Sequence, residues 1–119
     1  MVKKKIFCFD IDGVICKTTK NNYASAKPYD KSIEIINKLY KKNYIIIFTS
    51  RYMGRNNDNV KKAKKEGYKK TFNQLIKWKL KFHKLKFGKP SYDVFIDDKS
   101  FFFKKKWFLE FEKKYLKKI

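Results

Sequence analysis

Four of the seven aspartates in this 119-residue chain fall in two short clusters, Asp10-Ile11-Asp12-Gly13 and Ile96-Asp97-Asp98-Lys99, and each cluster follows an apolar run of strand length. Carboxylates gathered this closely repel one another unless a cation or a proton relieves them, so the pattern points to a bound divalent metal. A ligand set made only of oxygens favours Mg²⁺ over zinc. Two other groups could work beside them. Thr49-Ser50-Arg51 follows a third apolar run and offers a hydroxyl, turn amides and a cation, while Gly88-Lys89-Pro90 holds a lysine between two residues that punctuate the backbone.

For these residues to act together, one sheet edge must gather them. Residues 5–9, 44–48 (Tyr-Ile-Ile-Ile-Phe) and 92–96 (Tyr-Asp-Val-Phe-Ile) are predicted strands, and a shorter one is expected near 85–87. Apolar runs without alternation suggest strands covered on both faces, the habit of parallel sheets. Ile33, Ile36, Leu39 and Tyr40 recur at helical spacing, with Asp30 or Ser32 as N-cap. Residues 58–66 predict a solvated helix that Gly67 stops. Thr71-Phe72-Asn73-Gln74 has capping-box spacing and opens another helix carrying Leu75, Ile76 and Leu80. A last helix within 101–119 places Phe108, Phe111 and Tyr115 on one face. Strands alternating with helices argue for one α/β domain over 1–119, a Rossmann-like three-layer fold with a mainly parallel sheet. Ligands of such sheets bind outside the carboxyl ends of the strands, where the clusters above fall.

Composition narrows the function classes. The net charge is +21, yet hydrophobic residues are 43% and aromatics 18% of the chain, which excludes disorder as a description of the whole. No apolar stretch is long enough to span a membrane. The basic start runs into residues 6–9, but Asp10 and Asp12 cut that apolar run short, unlike a secretory signal. Cys8 and Cys16 make no disulfide framework, so the reducing cytoplasm is the expected compartment. Thirty of the 32 basic residues are lysines, with Arg51 and Arg55 the exceptions. A nucleic-acid surface recruits arginine for its planar fork, so the charge reads as A/T-rich coding rather than as a nucleic-acid footprint. His83, the lone histidine, falls away from the clusters and reads as structural, and Phe101 to Phe103 with Trp107 read as core or dimer-contact residues.

In order along the chain, Asp10-Ile11-Asp12-Gly13, Thr49, Lys89 and Asp97-Asp98 resemble the four motifs of the haloacid dehalogenase-like (HAD) phosphohydrolase superfamily. The resemblance covers nearly the whole chain. Ala26-Lys27-Pro28, Gly88-Lys89-Pro90 and Ile96-Asp97-Asp98 are further similar to the small capless HAD phosphatases of capsular-polysaccharide biosynthesis. The resemblance implies an HAD-like fold with a short insertion at 14–28 in place of a cap. It implies that Asp10 is the nucleophile forming an aspartyl-phosphate and Asp12 the general acid and base. Mg²⁺ would be held by Asp10, by Asp12 through its carbonyl, and by Asp97, with Asp98 a water-mediated ligand or an orienting group. Thr49, with Ser50 beside it, would bind a phosphoryl oxygen, and Lys89 would offset charge on the phosphoryl group and Asp10.

Specificity is expected in 14–28 and in 50–57, which leave strand ends beside the acids. Tyr23, Arg51, Tyr52 and Arg55 are the candidates for leaving-group contacts. The expected activity is Mg²⁺-dependent hydrolysis of a small phosphorylated metabolite, such as a sugar, polyol or amino-alcohol phosphate used for surface polysaccharide. A second copy of the chain could cover the open site. The competing readings are a phosphatase for nucleic-acid 3′ ends and a non-enzymatic basic protein that binds polyanions on the same fold.

Overall fold

A computed structural model describes residues 4–116. The basic start at 1–3 and the last turn expected of the C-terminal helix, 117–119, lie outside the described residues. In chain order the elements are β1 (Ile6–Phe9), β2 (Cys16–Lys17), β3 (Lys27–Pro28), α1 (Asp30–Tyr40), β4 (Tyr44–Thr49), α2 (Val60–Lys77), β5 (Lys84–Phe87) and α3 (Trp107–Tyr115). Strands β1, β4 and β5 pair in parallel in the order β1-β4-β5, while β2 and β3 form a separate antiparallel ribbon. The result is a small Rossmann-like α/β fold of the three-layer class.

The register explains the packing. Phe7 pairs with Ile45 and Phe9 with Ile47, while Ile47 pairs with Leu85 and Thr49 with Phe87, so these side chains share one face of the sheet. Phe9, Ile45, Ile47, Thr49, Leu85 and Phe87 are buried there. Burying each large apolar side chain stabilises by about 1.5–3 kcal/mol, which makes this face the main element of the core. The cover expected on both faces is found on one only: on the opposite face Tyr44, Ile46 and Phe48 are half-buried, and Cys8, Lys84 and Lys86 are exposed, because the described helices leave that face partly open. Helix α1 buries Ile33, Ile36 and Leu39 of the stripe that its spacing predicts, leaves Tyr40 half-buried, and buries Ser32 and Ile35 beside them. Tyr29 rather than Asp30 or Ser32 is its N-cap, and Ser32 Oγ is buried without a partner. From α3, Trp107, Phe111 and Tyr115 stand one helical turn apart and meet Phe7 and Phe9 at ring-centroid distances of 5.1–5.9 Å. Phe101 joins them, 5.1 Å from Phe111, but Phe102 and Phe103 are exposed. His83 has the structural part expected of it. Its Nδ1 accepts the Ile45 N–H at 2.9 Å, which leaves the ring proton on Nε2, and its ring stacks on Tyr40 and Tyr44.

Three further sequence expectations fail. Gly67 stops no helix: α2 runs unbroken from Asn59, whose side chain caps the Lys62 N–H at 3.0 Å, to Lys77. Its buried stripe is Ala63, Gly67, Thr71 and Leu75, of which the first three are small and let the helix lie close. The Thr71-to-Gln74 spacing therefore caps nothing. The segment 92–96 is not a strand, and β1 is an edge strand pairing only with β4 among the described residues. Residues 90–100 are all exposed, Ile96 by 91%. The β preference of Val, Ile and Phe expresses packing against neighbouring strands, and without a partner ladder this segment stays irregular.

Among the described residues no helix is long and apolar enough to cross a membrane.

Candidate functional site

Parallel pairing brings the carboxyl ends of β1, β4 and β5 to one edge, so Asp10, Ser50 and Lys89 follow three neighbouring strands. Past β1 the chain turns sharply. The Ile15 N–H donates to Ile11 O at 2.8 Å and the Gly13 N–H to Cys16 O at 2.8 Å. Gly13 sits at φ +88°, in the left-handed region that glycine enters without strain. This turn buries Ile11 completely and places Asp10 and Asp12 on the wall of one cavity of about 430 Å³. Ser50, Thr18, Tyr23 and the exposed Lys17 and Lys20 share that wall. The ribbon β2–β3 and a short turn at Tyr23–Ser25 form the insertion at 14–28.

The two carboxylates have different surroundings. Asp10 Oδ1 accepts its neighbour's Ile11 N–H at 2.8 Å, and Oδ2 lies 3.4 Å from Lys89 Nζ. Burial raises the Asp10 carboxyl above the ordinary aspartate range, and the Lys89 charge and the Ile11 N–H reverse only part of that rise. Burial alone would lower Lys89, but hydrogen bonds and charge from Tyr92 and Asp10 outweigh it and leave the ammonium raised. Asp12 is bound more tightly. Arg51 Nε donates to Oδ2 and Arg51 Nη2 to Oδ1, each at 2.9 Å, the Thr18 hydroxyl donates to Oδ1, and the Cys16 thiol lies 3.5 Å from Oδ1. Burial pushes that thiol up to about 11, so it stays protonated at neutral pH.

Removing Lys89 takes away the largest influence that lowers Asp10. In Lys89→Met the Asp10 carboxyl should titrate at higher pH than in the wild type, read from its ¹³C chemical shift. An unchanged midpoint would show that the ion pair does not form in solution.

Several expected roles need correction. Thr49 is fully buried, because its place in β4 points it to the core face, and its hydroxyl accepts the Arg51 N–H at 3.1 Å. Ser50, one residue on, brings a hydroxyl to the cavity from the end of β4. Arg51 is 2% exposed and committed to Asp12, so it is not free for a leaving group. Tyr52 is buried with its ring against Gly67. Arg55 is exposed but pairs with Glu66 at 3.2 Å. Tyr23 does reach the cavity. Thr18, Cys16 and Gln74 are the partners that sequence reasoning missed: a single threonine or cysteine carries no spacing signal, and the capping-box spacing of Gln74 pointed to a helix start instead of to Arg51.

The residues expected to hold Mg²⁺ do not form a metal centre here. Among the described residues no three His, Cys, Asp or Glu side chains gather to hold a metal ion. Asp97 and Asp98 stand exposed in a turn where Asp97 Oδ1 accepts the Lys99 N–H at 3.1 Å. They are absent from the wall of the cavity that holds Asp10 and Asp12. The unpaired 92–96 segment accounts for this, because a strand there is what would carry them to the shared sheet edge.

No family model matches the chain, and no curated protein sequence matches it. Among solved structures, the chain is similar to the crystal structure of a structural-genomics target from Vibrio cholerae. The TM-score is 0.76 at 24% sequence identity, over 83% of this chain and 83% of that one. This likeness shows the fold.

Proposed function

We propose that the protein is a phosphoric monoester hydrolase of the HAD type, acting on a small phosphorylated metabolite such as a sugar, polyol or amino-alcohol phosphate destined for surface polysaccharide. The observation that supports the reading is the pair of unlike carboxylates on one cavity wall. Asp10 is raised by burial and touched by Lys89, and Asp12, two residues on, is clamped by Arg51. A pair placed in different environments suits division into nucleophile and proton carrier.

In this proposal Asp10 Oδ attacks phosphorus from the side opposite the leaving oxygen. The new Asp10–phosphorus bond forms as the bond to the leaving oxygen breaks, and Asp12 gives that oxygen a proton. Water then attacks the aspartyl-phosphate, Asp12 takes its proton, and the bond to Asp10 breaks to release inorganic phosphate and restore the carboxylate. Lys89 offsets the charge that collects on the transferring group and on Asp10. Ser50, on the cavity wall, donates its hydroxyl to a phosphoryl oxygen in this reading. Mg²⁺ stays in the proposal on the strength of the sequence pattern alone, and none of these steps is drawn through it. A cytoplasmic setting belongs to the same proposal and suits two free cysteines.

The test is phosphate release from 4-nitrophenyl phosphate and from a panel of metabolite phosphates at physiological salt. Separate arms hold EDTA, added Mg²⁺ and a 3′-phosphorylated oligonucleotide. Release from metabolites by the wild type, lost in Asp10→Asn, is the expected result. Turnover confined to the oligonucleotide would replace the proposed substrate class, and equal turnover by wild type and variant would end the proposed chemistry.

A further inference from the structure

Arg51 lies behind the site rather than at its mouth, and each of its guanidinium nitrogens has a partner. Beyond the two bonds to Asp12, Nη1 donates to Gln74 Oε1 at 2.7 Å. The Gln74 amide nitrogen donates in turn to the Tyr23 main-chain carbonyl at 2.7 Å, and the Tyr23 ring lies 4.7 Å from the guanidinium carbon. A guanidinium has only donors, so Gln74 must turn its oxygen to Arg51 and its nitrogen to the carbonyl. Helix α2 thereby holds Arg51 through one side chain, and Arg51 holds Asp12.

A bidentate guanidinium contact fixes the plane and rotation of a carboxylate, which a single lysine contact does not. The donors on Asp12 are also unequal. Oδ1 faces Arg51 Nη2, the Thr18 hydroxyl and the Cys16 thiol, whereas Oδ2 faces Arg51 Nε alone. We propose that Gln74 and Arg51 are positioning residues that aim Asp12 so that Oδ2 is the oxygen exchanging protons with the leaving group and with water. This role rests on the hydrolase reading above. It turns Arg51 from a substrate anchor into part of the frame, and gives Gln74 a function in place of the helix cap that its spacing suggested.

The test uses leaving groups. An alkoxide needs a proton as its bond to phosphorus breaks, whereas 4-nitrophenolate departs without one, so only the first depends strongly on an aimed acid. The parameter kcat/KM reads steps up to that departure. Arg51→Lys should lose about 10²-fold in kcat/KM on an alkyl phosphate and less than about tenfold on 4-nitrophenyl phosphate. Gln74→Leu should shift the ratio in the same direction by about tenfold, and Gln74→Glu, which keeps an acceptor for Nη1 but gives up the bond to the Tyr23 carbonyl, should recover part of it. A merely structural role would lower both substrates alike. Equal losses in an active enzyme therefore overturn the positioning role and leave the hydrolase reading standing, whereas a wild type inactive on both phosphates overturns the two together. If Arg51→Lys does not fold, Gln74→Leu decides the matter alone.

Discussion

Asp10→Asn is expected to lower phosphate release by roughly 10³-fold or more and, in the same protein, to raise Tm by a few degrees. Under the proposed hydrolase chemistry the activity loss follows because an amide in place of the Asp10 carboxylate cannot form the phosphoenzyme. The stability gain follows from linkage. Burial raises the folded-state pKa of Asp10 above its unfolded value, with Lys89 and the Ile11 N–H lowering it only in part. A group shifted upward favours the fold below its unfolded pKa, and that support is lost as pH rises through the folded value. At neutral pH the wild type therefore carries an ionised group that the fold disfavours, and asparagine removes it. The gap between the two Tm values should be small at the acid end, open as pH rises from the ordinary aspartate range through the raised value, and then stay level. Thermal melts across that range check the sign. A Tm that falls in Asp10→Asn at neutral pH would mean that the Lys89 contact outweighs burial.

Gly67→Ala is expected to destabilise the protein by about 2 kcal/mol and to lower Tm by about 5–10 °C. On helix propensity alone the substitution should stabilise α2 by about 1 kcal/mol. Packing decides against it. A Cβ at residue 67 would lie 2.0 Å from Tyr52 Cε2 and 2.1 Å from Tyr52 Cδ2, so the ring must move. Tyr52 has little freedom to do so, with its backbone at φ +67° and its ring 4.9 Å from that of Tyr23. Because Tyr52 follows Arg51 in the chain, the displacement should also disturb the hold on Asp12. Repeating Gly67→Ala in a Tyr52→Leu background should shrink the loss, since the two sites share one contact. Calorimetry on the four proteins measures this, and an unchanged or higher Tm in Gly67→Ala would contradict the packing.

The same glycine shows where sequence reasoning reaches its end. Glycine after a lysine-rich helical stretch has the form of a C-terminal stop, and nothing local reveals that a tyrosine fifteen positions earlier requires the space. By contrast, β1, β4 and α1 were legible as elements because apolar runs and helical spacing mark them, as in the Tyr-Ile-Ile-Ile-Phe run and the α1 stripe, although burial alternates along β4 where the run does not. Both acids at the end of β1 were legible for the same reason, since an apolar run broken by two aspartates marks by itself where the strand leaves the core. The 92–96 segment carries the same apolar signature, yet its conformation depends on whether a neighbour offers a ladder, and composition does not encode that. Arg51 was visible as a residue but not as a partner. Its role depends on the turn at Gly13 and on the face that α2 presents, two long-range outcomes of folding.

The groups that meet around the acids come from residues 10, 12, 18, 51, 74 and 89, a span that reaches from the end of β1 to just past β5. A nascent chain that has completed only β1, α1 and β4 possesses both carboxylates but neither Gln74 nor Lys89. Because contacts between distant segments form late, assembly of the site reports that β5 has docked. An oxyanion that binds there, such as vanadate, should consequently slow unfolding more than it speeds folding, and resistance to proteolysis would become a measure of site occupancy.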